Sequence, residues 1–226
     1  MKEEAIINEI IPGILETQWS EIEKKISLLK SITQTVHVDL IDGEFAHNKT
    51  LLDPQPFKQY AEDFLFELHM MVNDPLKYVK PWSNAGFKRF IAHIEQLPDP
   101  TKFIADTQLL GEVGLAIDSQ TSLAQFKQLD VNLLDLDCVL VMTVKAGFSG
   151  QQFLPAMLEK VRDLRSMSDS LPIEVDGGLN EQTIKSAWDA GANRFVATSS
   201  LFQTSDVKTQ FEKLQKIIIS NSVNPL

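Results

Sequence analysis

The chain alternates, eight times over, a short run rich in β-branched and aromatic residues with a longer polar or amphipathic stretch, and that rhythm leaves few folds open to it. The short runs fall at 9–15, 36–41, 65–72, 89–95, 114–119, 138–144, 173–178 and 194–200. Between them the spacing predicts helices over 17–33, 99–110, 123–136, 181–190 and 206–220, a short one near 54–62, and two more starting at Asp74-Pro75 and at Pro155. In the first, Trp19, Ile22, Ile26 and Leu29 recur on one face, and Ser20 with Glu23 forms a candidate capping box. Near-continuous apolar strands separated by helices imply a parallel sheet covered by helices. Eight such units favour an α/β fold of the closed (β/α)8 TIM-barrel kind over an open doubly wound sheet. The Gly-x-Gly-x-x-Gly that a dinucleotide-binding sheet carries after its first strand is absent. No linker or composition break interrupts the pattern, so residues 1–226 are read as a single barrel domain.

The bulk properties narrow the function. A formal net charge of −10 sets the chain against nucleic acid and anionic membranes. No apolar run approaches the roughly 20 residues of a membrane span. The start, MKEEAIINEIIPGIL, has acids where a secretory signal has bases, so a cytoplasmic location is expected. The single cysteine, Cys138, excludes an internal disulfide and a cysteine metal cage, and its apolar surroundings mark it as a small buried hydrophobe.

A barrel of this kind places its chemistry at the C-terminal ends of the strands. Side chains alternate along a strand, so His37 and Asp39 share the inward face of the second strand while Val36, Val38 and Leu40 face the helices. The third strand offers His69 and Met71, and the seventh Glu174 and Asp176, the latter just before Gly177 and Gly178. Two imidazoles and two carboxylates from three strands suit a borderline divalent cation. Two aspartates on opposite sides of a carbon α to a carbonyl would also serve as base and acid. His93 is expected to support the site from behind, Asp42 to serve the turn with Gly43, and His47 and Asn48 to lie in a loop. Two glycine-bearing segments, 146–151 and 176–180, are candidates for holding phosphate through backbone N–H groups.

At these residues the chain resembles the ribulose-phosphate 3-epimerase family over nearly its whole length. The segment HVDLIDGEFAHN at 37–48 is similar to the family's His-x-Asp-x-Met-Asp-Gly-x-Phe-x-Pro-Asn block, and ELHMMV at 67–72 to its Asp-x-His-Leu-Met strand. VLVMTVKAGFSGQQF at 139–153 and IEVDGGLNEQT at 173–183 are similar to its sixth- and seventh-strand motifs. The resemblance implies an epimerase interconverting D-ribulose 5-phosphate and D-xylulose 5-phosphate in pentose phosphate metabolism. It implies a divalent cation (zinc, iron(II), manganese or cobalt), no organic cofactor, a sugar-phosphate ligand and a homo-oligomer. The implied metal ligands are His37, Asp39, His69 and Asp176, with Asp39 and Asp176 as the acid/base pair. The implied substrate contacts are His69, Met71, Met142, Gly147, Phe148, Ser149, Gly150, Gly177, Gly178, Thr198 and Ser199.

The chain also departs from the family. Its first-strand Pro-Ser is Pro12-Gly13 here, which removes a substrate-facing hydroxyl. Ala146 replaces a loop proline, Ile41 a methionine, and Asp118-Ser119 an Asn-Pro. Thr198 stands where the family has glycine, and a β-branched residue there is expected to crowd a bound phosphate. Two other readings therefore stay open: an epimerase of another ketose, such as a hexulose 6-phosphate or an unphosphorylated sugar, and a retired sugar-phosphate binder. Related barrel decarboxylases and aldolases would show a lysine at these strand ends, and none is there.

Overall fold

A computed structural model describes residues 7–129, 131–148 and 150–220. Eight parallel strands close into a barrel in the order β1 to β8: β1 Glu9–Ile14, β2 Thr35–Ile41, β3 Leu65–Met71, β4 Arg89–His93, β5 Glu112–Ile117, β6 Cys138–Met142, β7 Ile173–Asp176 and β8 Arg194–Ala197. The helices outside are α1 Trp19–Leu29, α2 Leu76–Asn84, α3 Pro100–Gln108, α4 Leu123–Lys127, α5 Leu158–Met167, α6 Glu181–Asp189, α7 Ser199–Phe202 and α8 Val207–Ser220.

Strand alternation divides the apolar residues into two bodies. Val36, Val38, Leu40, Leu68, Val139 and Val175 pack outward against helix residues such as Ile22, Ile26, Val161, Ile184 and Leu214. Ile41, Met71, Ile91, Ala116, Cys138, Leu140, Met142 and Val144 form a separate cluster inside the barrel. Cys138 is fully buried there, and burial pushes its thiol pKa up. Gly114 is small for a reason: a Cβ on it would lie 2.6 Å from Cys138 Sγ.

Several element bounds differ from the sequence expectation, and some have a clear local cause. The turn near 54–62 is a 3-10 helix, Gln55–Tyr60, with Pro54 at its cap and Pro56 in its first turn; it pins Phe57 among Phe66, Trp82 and Phe87. The helix expected over 123–136 ends at Lys127, and a new 3-10 turn, Leu133–Asp135, begins where the Asn132 side chain accepts from Leu134 N at 3.1 Å. Strand β7 stops at Asp176 because Gly177 and Gly178 take φ of +115° and +65°, outside any strand. Strand β8 stops at Ala197, and the chain turns at Thr198 straight into α7.

Candidate active site

The polar residues inside the barrel lie in two tiers. The lower tier is an ionic network of Glu67, Arg89, Glu174 and Arg194, all buried. Arg194 Nε donates to Glu174 Oε2 at 2.8 Å, and its Nη2 pairs with Glu67. Arg89 Nη1 donates to Glu67 Oε2 at 2.8 Å, and Arg194 Nη1 reaches Glu9 Oε2 at 2.9 Å. Burial opposes ionisation of Glu67, but Arg194, His37 and Arg89 outweigh it and hold its carboxyl well below the usual carboxylate range. His37, Glu67 and Glu174 also lie close enough to share a cation, but the two arginines already neutralise that carboxylate pair.

His37 links the tiers. Its Nδ1 lies 2.8 Å from Glu67 Oε1 and 3.2 Å from Glu174 Oε1. Because Glu67 is an ionised acceptor, Nδ1 carries the proton, and Nε2 is turned upward toward Asp39 Oδ1 at 3.4 Å. That Nε2 atom is buried and makes no hydrogen bond.

The upper tier is the set anticipated from sequence. Ligand atoms of His37, Asp39, His69 and Asp176 all lie within 4.8 Å of one another, and all four residues are buried. His69 Nδ1 is 2.9 Å from Asp39 Oδ1 and 3.8 Å from Asp176 Oδ2. A cation with bonds of about 2.1 Å asks for ligand atoms roughly 3–4 Å apart, so small side-chain shifts would gather them. The orphaned His37 Nε2 and the mixed imidazole–carboxylate set fit such an ion.

The two aspartates are not equivalent. Burial pushes Asp39 up, but His37 and His69 outweigh it and hold Asp39 below the usual carboxylate range. Burial and the neighbouring Asp39 charge push Asp176 up to about 7. Burial lowers the pKa of His69, leaving it neutral, whereas the carboxylates of Asp39, Glu174 and Glu67 overcome burial and raise that of His37 well above the ordinary imidazole value.

Further supports surround these four; His93 and Asp42 were expected from sequence, whereas Glu67, Glu95 and Thr143 were not. Glu67 sits two residues before His69, so strand alternation alone would have placed it on the inward face. His69 Nε2 meets His93 Nε2 at 3.0 Å, and His93 Nδ1 meets Glu95 Oε2 at 3.1 Å, a chain that fixes the His69 ring from behind. Thr143 Oγ1 donates to the carbonyls of Asp176 at 2.9 Å and Gly177 at 2.6 Å, which holds the end of β7 against β6. Asp42 serves its turn as expected, accepting from Glu44 N at 2.8 Å and Asn73 N at 2.7 Å. His47 is exposed, while Asn48 Nδ2 donates to Gly147 O at 3.0 Å and ties the loop after β2 to the loop after β6.

Above the aspartates lies a small cavity of ≈ 30 Å³. Asp39, Met71, Met142, Gly147, Phe148, Gly150, Asp176, Gly177, Gly178, Thr198 and Ser199 all border it. His37 and His69 do not; both are fully buried beneath it. Ser149 lies outside the described residues. Leu15, Val144, Leu179 and Val196 complete the wall as apolar residues with no chemical signature in the sequence.

Residues 9–202 match the family described as the ribulose-phosphate 3 epimerase family. The chain belongs to that family. It is accordingly an epimerase-type isomerase by kinship. It is 34% identical over 215 residues to the cytoplasmic isoform of ribulose-phosphate 3-epimerase from Oryza sativa subsp. japonica, covering 93% of this chain and 94% of that protein. It is 30% identical to the Bacillus subtilis ribulose-phosphate 3-epimerase over 219 residues, 92% of this chain and 98% of that one. In three dimensions it resembles KGPDC from Streptococcus mutans, with a TM-score of 0.71 at 14% identity over 95% and 98% of the two chains. It also resembles 3-hexulose-6-phosphate synthase from Salmonella typhimurium, with a TM-score of 0.67 at 12% identity over 94% and 99%. These structural likenesses speak to the fold. Among the described residues no helix is long and apolar enough to cross a membrane.

Proposed function

We propose that this member of the ribulose-phosphate 3-epimerase family interconverts D-ribulose 5-phosphate and D-xylulose 5-phosphate, using a divalent cation held by His37, Asp39, His69 and Asp176. The observation that carries this reading is the convergence of those four side chains beneath one cavity. A cation bound there would polarise the substrate's carbonyl and hydroxyl oxygens and stabilise the charge of an enediolate.

The protein's own groups divide the proton work. Asp39, held ionised, is placed to remove a proton from the carbon beside the carbonyl. Asp176, which borders the same cavity, is placed to deliver one. Strands β2 and β7 are separated in the barrel by β1 and β8, so the two carboxyls approach the cavity from different sides and serve opposite faces of a planar intermediate. In the reverse direction their roles exchange. Met71 and Met142 line the cavity without adding charge, which helps keep water from the reacting carbon. The glycines at 147, 150, 177 and 178 let the loop backbone come close to a phosphate.

Purified, metal-loaded protein is expected to turn over D-ribulose 5-phosphate in a coupled assay. A panel containing hexulose 6-phosphates and unphosphorylated ketoses should rank the pentulose phosphate first by kcat/KM, and a different ranking would reassign the substrate. Incorporation of deuterium from D2O at the inverted carbon would distinguish a working epimerase from a retired binder.

Cation affinity is expected to weaken as pH falls from 8 to 6. With Asp176 raised to about 7 and His37 raised well above its ordinary value, the cation-free site holds protons that a cation must displace. Titration calorimetry in buffers of different ionisation enthalpy would read the protons released on binding. An affinity that does not change over that pH range would contradict this account.

A further inference from the structure

Two departures from the family pattern, Gly13 and Thr198, meet in space. Gly13 lies on β1, and Thr198 follows β8, the strand that pairs with β1. A Cβ on Gly13 would run into Thr198 Oγ1 and lie 2.9 Å from Val196 Cγ1. The spot therefore admits a side chain from one strand or the other, not from both. Thr198 crowds residue 13 and also borders the cavity.

The location gives the exchange a consequence. Strands β1 and β8 form the arc between β2, which carries Asp39, and β7, which carries Asp176. Thr198 borders the cavity with both aspartates, and its neighbour Ser199 is the other hydroxyl residue on that wall. The Thr198 hydroxyl makes no capping bond to the α7 backbone, so it is not committed to starting that helix. Threonine is stiff at χ1, which keeps the hydroxyl where the backbone sets it.

We infer that Gly13 and Thr198 act as one unit: the strand-1 glycine vacates a pocket that the Thr198 hydroxyl fills, and that hydroxyl hydrogen-bonds a hydroxyl or carbonyl oxygen of the ketose between the two aspartates. The substrate half of this assignment rests on the epimerase reading above; the packing half does not.

The test is a four-protein cycle of wild type, Gly13→Ser, Thr198→Gly and the double variant, with Thr198→Val and Thr198→Ser alongside. Gly13→Ser is expected to lower both Tm and kcat/KM, because the new side chain has no room. Adding Thr198→Gly to it opens that room, lets the Val196 methyl move, and should recover most of the lost Tm and at least about tenfold in kcat/KM. Simple additivity of the two single effects on Tm would overturn the unit. Thr198→Val keeps the shape and loses the hydroxyl, so its KM for D-ribulose 5-phosphate should exceed that of Thr198→Ser by about three- to tenfold, with kcat moving less. Equal KM values for those two variants would overturn the hydrogen-bonding role. Should Gly13→Ser fail to fold, recovery of a folded double variant supports the unit, and an unfolded double variant counts against it. If wild type does not act on the pentulose phosphate, the substrate reading falls, while the Tm cycle still decides whether the two positions are coupled.

Discussion

Asp176→Asn is expected to cut kcat by about 10³-fold or more in protein that is saturated with metal, and Asp39→Asn by a similar factor. Asparagine keeps the shape of the side chain but neither takes up nor releases a proton in this range. Loss of one positioned acid or base typically costs about 10²–10⁴-fold, and each aspartate is also a proposed metal ligand. Chelator competition separates the two effects: metal affinity is measured directly, and turnover is then compared at full occupancy. The two variants should also differ in their cation-free pH behaviour. Asp176 is driven upward by burial and by Asp39, so removing the Asp39 charge should let the Asp176 pKa fall back. A near-wild-type rate at saturating metal in either variant would sink the two-carboxylate scheme, whatever happened to affinity.

The second large effect is on stability. Glu67→Ala is expected to destabilise the protein by roughly 3–5 kcal/mol and to lower Tm by about 10 °C. Glu67 is fully buried and is shared by His37, Arg89 and Arg194. Its loss leaves cationic groups inside the barrel without their acceptor, which is costlier than never having had the network. Glu67 has a folded-state pKa below its unfolded value, so its contribution is present above about pH 4.3 and is lost as pH falls through the lower, folded value. The Tm gap between wild type and variant should therefore be full at neutral pH and begin to narrow below about pH 4. Denaturation curves at pH 7 and pH 3.5 would read this, and a gap below about 1 kcal/mol at pH 7 would mean that the network carries little stability. Metal affinity should fall as well, by about 10–100-fold, because Glu67 holds the Nδ1 proton that leaves His37 Nε2 for the cation.

The barrel was legible in the sequence because each strand–helix unit repeats one local rule. Apolar alternates such as Val36, Val38 and Leu40 must face helices, and that demand leaves His37 and Asp39 facing inward. The same period-2 logic placed His69 and Asp176, and it would have placed Glu67 had polar residues deeper in the strand been weighed like those near its end. Element ends were less legible. They depend on single events, such as the Asn132 side chain starting a new turn or the positive φ of Gly177, and such events do not change hydrophobic periodicity.

The order of residues along this chain determined its strand–helix rhythm, its closed parallel sheet and the inward side chains of the proposed metal and acid/base site, because those follow from periods of 2 and 3.6 residues within single elements. Tertiary structure decided what depends on contacts between elements distant in the chain. It separated the electrostatics of Asp39 and Asp176, two aspartates alike in sequence, through burial and the imidazoles beside them. It joined His37 to Glu67 and Glu174, and His69 to His93 and Glu95, through contacts between different strands. It also brought Gly13 against Thr198, 185 positions apart in the chain, as a direct consequence of closing β8 onto β1.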